Sequence, residues 1–201
     1  MSEPERVPTR TDRVPPHIVD AARDVLARDG LAAATLERIS AAAGVSRMTL
    51  HRRGVSKEDI LQALAARLAD DYRQSFWPAL VSKGTGRERL RLALEQLCDV
   101  TERNLSLHEA LAIHVRNTIY HDDRGLTRNE FVEPLERLLL DGAADGSLAA
   151  VEPEEMATLL FNAVSHTYAH LRTGHRWPPD RARAGVVGLV LDGVGGRAAD
   201  S

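Results

Sequence analysis

Apolar residues recur along this chain at the spacing of a helix face. Ile18, Ala22, Val25 and Leu26 fall three or four apart, Pro15 and Pro16 precede them, and Gly30 follows. Proline is tolerated in a first helical turn and glycine stops a run, so the spacing predicts a helix over 16–29. Thr35 can cap a short second helix over 36–43, with Glu37 near its positive end and Leu36, Ile39 and Ala43 facing inward. Gly44 makes a turn, and Ser46 caps a third helix. Val45 and Leu50 bracket that cap at the spacing of a hydrophobic staple. The device recurs one element later. Ser56 caps, Asp59 completes a capping-box pattern, and Val55 and Ile60 form the staple.

A fourth helix is expected over 57–80, with Leu61, Leu64 and Leu68 as its inner stripe and Pro78 in its last turn. Lys83–Gly86 reads as a loop. Further helices are expected over 87–103, 106–119, 127–145, 153–173 and 179–194. No run alternates as a strand does. The pattern predicts an all-α fold of about nine helices. It consists of an N-terminal three-helix helix-turn-helix domain over 15–56 and a C-terminal helical bundle domain over 57–201. Residues 1–14, polar and proline-rich, read as a flexible arm.

Hydrophobic residues make up 43% of the chain and charged residues 27%, enough for a core and too apolar for disorder. No stretch approaches the ~18 apolar residues that span a membrane. The N-terminus lacks the apolar core of a signal peptide, which predicts a cytoplasmic protein with no membrane partner. The lone Cys98 sits in an apolar pattern with Leu94 and Leu97, and buried packing is its expected role. The net charge of −3 does not by itself point to nucleic acid. Its distribution does more. Ser46 to Lys57 holds Arg47, Arg52, Arg53 and Lys57 and no acid, a local +4 that leaves −7 for the remainder.

Thr35 to Arg53 is the unit that carries chemistry. A bracing helix, a glycine turn and a second short helix with basic outward positions are the parts of a DNA-reading helix-turn-helix. Leu50, with Met48 or Val45, anchors inward, and Arg47, Thr49, His51 and Arg52 point out. Arginine can pair in bidentate fashion with guanine, and threonine can touch a thymine methyl or a phosphate.

The segment Ile18 to Leu61 resembles the DNA-binding domain of the TetR family of bacterial regulators. The likeness rests on Ala21-Ala22, Gly30, Thr35, Ile39, Ala42-Ala43-Gly44-Val45-Ser46, Thr49-Leu50 and Ser56-Lys57-Glu58. It implies that Arg47, Thr49 and His51 meet DNA and that Lys57 reaches a phosphate. Thr35, Ser46, Met48 and Arg52 complete the expected interface. The resemblance also implies a homodimer, a palindromic double-stranded operator, a small-molecule effector that releases the DNA, no cofactor and no enzymatic activity. Where the family commonly carries tyrosine, an aromatic and phenylalanine, this chain has His51, Arg53 and Gly54. Loss of a buried aromatic costs ~3–5 kcal/mol unless the space is refilled. Either a loose or a repacked head is therefore expected, with Arg53 a candidate for an extra phosphate contact. The alternative is a ligand-binding or interaction protein with a weakened DNA head.

In the body the resemblance implies a dimer built by the last two helices. Ala163, Thr167, His170 and Leu171 on one, and Ala182, Gly185, Val186, Leu189 and Val190 on the other, are the expected contacts. An effector cavity is expected from Trp77, Leu107, Leu111, Phe131, Asn162 and Tyr168, with His108 and His166 as polar fixtures. His166 and His170 share a helix face at a spacing that suits zinc, but no third ligand is evident, so no metal is expected.

Overall fold

The computed structural model describes residues 14–107 and 131–193. Among the described residues are eight helices and no strand. They are α1 (Pro16–Ala33), α2 (Leu36–Ala42), α3 (Arg47–Arg52), α4 (Lys57–Val81), α5 (Gly86–Arg103), α6 (Glu133–Ala144), α7 (Pro153–Thr173) and α8 (Pro179–Asp192). The helix expected over 106–119 lies outside them except for residues 106 and 107, as does the start of the one expected over 127–145. The chain divides into two compact units. The described part of the first, here the head, is 14–68 with 106 and 107, and that of the second, the body, is 69–105 with 131–193. The division falls inside α4, after Leu68.

The head closes around one apolar cluster. Ile18, Val25 and Leu26 from α1, Ile39 from α2, Leu50 from α3, and Ile60, Leu61 and Leu64 from α4 are all buried in it. Val14 joins them at 6% exposure. Composition assigns it to the arm, but it precedes the α1 cap by one residue and Val19 lies at the fourth helical position, the spacing of a staple. Gly30, at φ 76 and ψ 172, breaks α1 where a stop was expected, and a further turn follows to Ala33.

In the body, α5, α6 and α7 pack on one another, and α8 packs on α7 and α5. Gly86 and Gly142 let α5 and α6 meet almost backbone to backbone, since a Cβ on Gly86 would lie 2.2 Å from Gly142 Cα. The free amides of the α5 N-terminus are satisfied from the end of α6 and beyond. Gly86 N–H donates to Asp145 Oδ2 (2.6 Å) and Arg87 N–H to Ser147 Oγ (3.0 Å). Cys98 is buried, and burial pushes its thiol up to about 12, so it packs as a small apolar group and is not a thiolate.

Glu102 ties α5 to α7. Arg172 donates to both of its oxygens at 2.8 Å, and the buried Tyr168 hydroxyl donates to Oε2 at 2.9 Å. These bonds, Arg172's foremost, hold the Glu102 carboxyl below the usual carboxylate range. A carboxylate whose pKa is lowered on folding stabilises the fold above its unfolded value of 4.5, and the contribution disappears as pH falls through the lowered value. Glu102→Gln should therefore cost about 1–2 kcal/mol at neutral pH and much less once the pH has fallen through the lowered value, as read by denaturant melts from neutral to acid pH. An unchanged pH dependence would mean the triad does not hold these helices.

Candidate nucleic-acid interface

Two turns of the same design present the third helix. At the end of α2, Gly44 (φ +69) donates to Ala41 O (3.2 Å) and Val45 to Ser40 O (2.9 Å). At the end of α3, Gly54 (φ +64) donates to His51 O (2.9 Å) and Val55 to Leu50 O (3.0 Å). Both are Schellman closures, in which a left-handed residue lets two amides reach back to the last carbonyls. In each, the apolar residue after glycine turns to the core, Val45 half-buried and Val55 buried.

This geometry decides between the loose and repacked heads. Gly54 leaves no hole, because a Cβ built there would meet open space. Glycine fits a left-handed backbone that other residues enter at a cost, and Val55 fills the core instead. Gly54→Ala should cost about 1–2 kcal/mol through the backbone alone, read by chemical denaturation. No loss of stability would contradict the left-handed turn.

The caps fix the helix starts. Thr35 Oγ1 accepts from Arg38 N–H (3.3 Å) at α2, and Ser46 Oγ from Thr49 N–H (3.1 Å) at α3. At α4, Ser56 and Asp59 exchange both bonds of a capping box, at 2.9 and 3.1 Å. With its ends fixed and Leu50 buried, α3 turns Arg47, Met48, His51 and Arg52 to solvent. Met48 is 72% exposed, so Val45 and not Met48 is Leu50's inward partner. Thr49 is half-buried, with its hydroxyl 2.9 Å from Ser46 Oγ. Lys57 is half-buried too, and its ammonium donates to Leu31 O at 3.4 Å. The outward side of α3 is thus cationic around an apolar methionine, a surface suited to phosphates and to base edges with their methyl groups.

Two residues of α2 join this surface. Glu37 Oε1 lies 2.6 Å from Arg47 Nη1, and its own backbone amide, followed by Arg47, holds its carboxyl below the usual range. Arg38 is also exposed and lies 3.4 Å from Asp29. Glu37 was legible only as a dipole partner, since nothing local relates it to a residue ten positions on.

Residues 18–64 match the family model described as bacterial regulatory proteins, tetR family. Over that stretch the chain is similar to the tetR family of bacterial regulatory proteins. Among solved structures, PfmR of Thermus thermophilus, a TetR family transcriptional regulator, is similar at TM-score 0.73 and 18% identity, over 89% of this chain and 99% of that one. A TetR/AcrR family regulator from Thermobifida fusca is similar at TM-score 0.70 and 24% identity, over 89% and 97%. AibR, solved with isovaleryl coenzyme A and operator DNA, is similar at TM-score 0.68 and 19% identity, over 90% and 97%. These likenesses show a TetR-type fold. No curated protein matches the sequence.

The remaining candidates scatter. Leu107 is buried in the head's own core, and Tyr168 is buried with its hydroxyl on Glu102. His108 and Leu111 lie outside the described residues. Trp77 is 65% exposed and lines a groove of about 660 Å³ with Arg73, Leu80, Pro134 and Arg137. Phe131 stacks edge-on with Tyr72 (5.3 Å) and lies 5.2 Å from Phe161. Asn162 donates to Thr158 O on its own helix. His166 is exposed on α7, and partial desolvation lowers its pKa.

On the expected dimer face, Ala163, Thr167, His170, Gly185 and Leu189 are exposed, and Leu171 and Val190 are half-buried. Ala182 and Val186 are buried within the protomer and have no surface to give a second chain. Their helical spacing is that of the face α8 turns to its own neighbours. Among the described residues, no group of three or more His, Cys, Asp or Glu is set to hold a metal, and no helix is long and apolar enough to cross a membrane.

Proposed function

We propose that the chain is a repressor that binds a palindromic operator as a homodimer, one α3 in the major groove per half-site, and releases it when a small molecule enters the body. The observation that carries this reading is α3 itself. It is capped at Ser46, pinned by Leu50, and has Arg47, Met48, His51 and Arg52 at the surface. Thr35, Ser46, Thr49 and Lys57 support it, the first two as caps that set its angle. A six-residue helix contacts few bases, so two copies about 34 Å apart are needed to read a site.

The dimer is assigned to α7 and α8. Leu159 (61% exposed), Ala163 and Thr167 form a stripe on α7, and Gly185 and Leu189 (54% exposed) lie on α8. Exposed leucines beside small residues suit a close helix pair in a two-fold interface. The effector is assigned to the body, where Trp77 and Leu80 offer apolar surface and Arg73 and Arg137 offer charge. FadR of Bacillus subtilis was solved with stearoyl-CoA and AibR with isovaleryl coenzyme A, which makes acyl thioesters the first class to screen. An effector acts only through its unequal affinity for the bound and released poses.

Sedimentation and duplex titration test the proposal together. The expected result is a dimer at micromolar concentration and duplex binding that weakens steeply with salt. A monomer, or a dimer indifferent to DNA at about 50 mM salt, would overturn it.

A further inference from the structure

We infer that Glu37 and Arg47 act as one reading unit, in which the glutamate confines the arginine to a guanine–cytosine pair and rejects non-specific duplex. This rests on the proposal that α3 enters the major groove. The two side chains come from different helices, the first turn of α2 and the first residue of α3. They meet at 2.6 Å with the arginine 68% and the glutamate 56% exposed, so the pair lies open to solvent beside Met48 and His51. An exposed pair adds little to the fold and is readily exchanged for another partner. The neighbouring cation of α2, Arg38, faces Asp29 and does not neutralise Glu37 in Arg47's place.

The consequence is an anion on the face that meets a polyanion. The hold of its own backbone amide, and then of Arg47, keeps Glu37 ionised at working pH. On random sequence, an Arg47 that stays on Glu37 neutralises no phosphate, and an Arg47 that leaves exposes a bare carboxylate to the DNA. Both lower affinity. A guanine–cytosine pair resolves the conflict. Guanine O6 and N7 accept the guanidinium fork, and the cytosine N4 amine donates to the carboxylate. Specificity is a difference of affinities, and a repulsive element raises it by weakening the wrong complex.

The test measures wild type, Glu37→Ala, Arg47→Ala and the double variant on the tightest duplex recovered from a random pool and on an unrelated duplex of equal length. Salt is varied from about 50 to 200 mM. Glu37→Ala should tighten the unrelated duplex about threefold or more and steepen its salt slope by about 0.9 per protomer, the signature of one further phosphate neutralised. The ratio between the two duplexes should fall about tenfold, and the preference for a guanine–cytosine pair in each half-site should weaken. In the Arg47→Ala background that loss of discrimination should vanish, because the two residues act together. Glu37→Gln, which keeps the shape without the charge, should move the unrelated duplex the same way. An unchanged ratio in Glu37→Ala, or an equal fall without Arg47, overturns the inference. Wild type that binds neither duplex overturns the regulator reading and this inference with it.

Discussion

Leu50→Ala is expected to unfold the head and abolish duplex binding. Leu50 is 1% exposed and is the one fully buried side chain of α3. It packs with Ile39 from α2 and with Val55 and Ile60 beyond the second turn, and its carbonyl closes that turn by accepting from Val55. Truncating a buried leucine costs about 2–5 kcal/mol, the lost transfer energy plus the cavity left behind. Whole small domains are held by about 5–15 kcal/mol, so the head has little to spare. Hydrogen exchange should show protection lost across 14–68, and duplex binding should disappear with it. Native-like protection in that segment would mean that α3 is not anchored through Leu50.

Arg47→Ala should do the opposite, leaving the head folded while weakening specific binding. Arg47 is largely exposed and packs on nothing in the core. A good bidentate contact to a base discriminates about tenfold to a hundredfold, and a symmetric dimer makes it twice. Affinity for the operator should thus fall by two orders of magnitude or more, with an unaltered denaturation curve. Arg53→Ala provides the contrast. As a phosphate contact it should weaken all duplexes alike and reduce the salt slope by about 0.9 per protomer. Loss of specific and non-specific binding in equal measure on removing Arg47 would reassign that residue to the phosphates.

How much of this was legible depends on the range of the interaction. Helix starts were legible because caps, prolines and staples act within four residues. The expected bounds 153–173 coincide with α7, and the Ser56–Asp59 capping box is formed. The same signal stood unused at Thr85, whose box with Glu88 starts α5 where a loop was expected. Gly54 is easily misjudged because the missing phenylalanine draws attention to a lost side chain. Its left-handed backbone is foreshadowed by Gly44–Val45, ten residues earlier, where the same glycine-then-valine order closes the preceding helix. Long-range partners left no local mark. Nothing near Leu107 places it in the head core, nothing near Tyr168 points to Glu102, and spacing alone cannot tell the face of α8 that meets α7 and α5 from the face left open.

The central claim is that α3 reads DNA in duplicate. Selection of bound duplexes from a fully random pool tests it most directly. An inverted repeat is expected, with half-site centres about one helical turn, or a multiple of it, apart, and with no enrichment by the Arg47→Ala protein. Recovery of a single unrepeated motif, or of no motif at low salt, would contradict it.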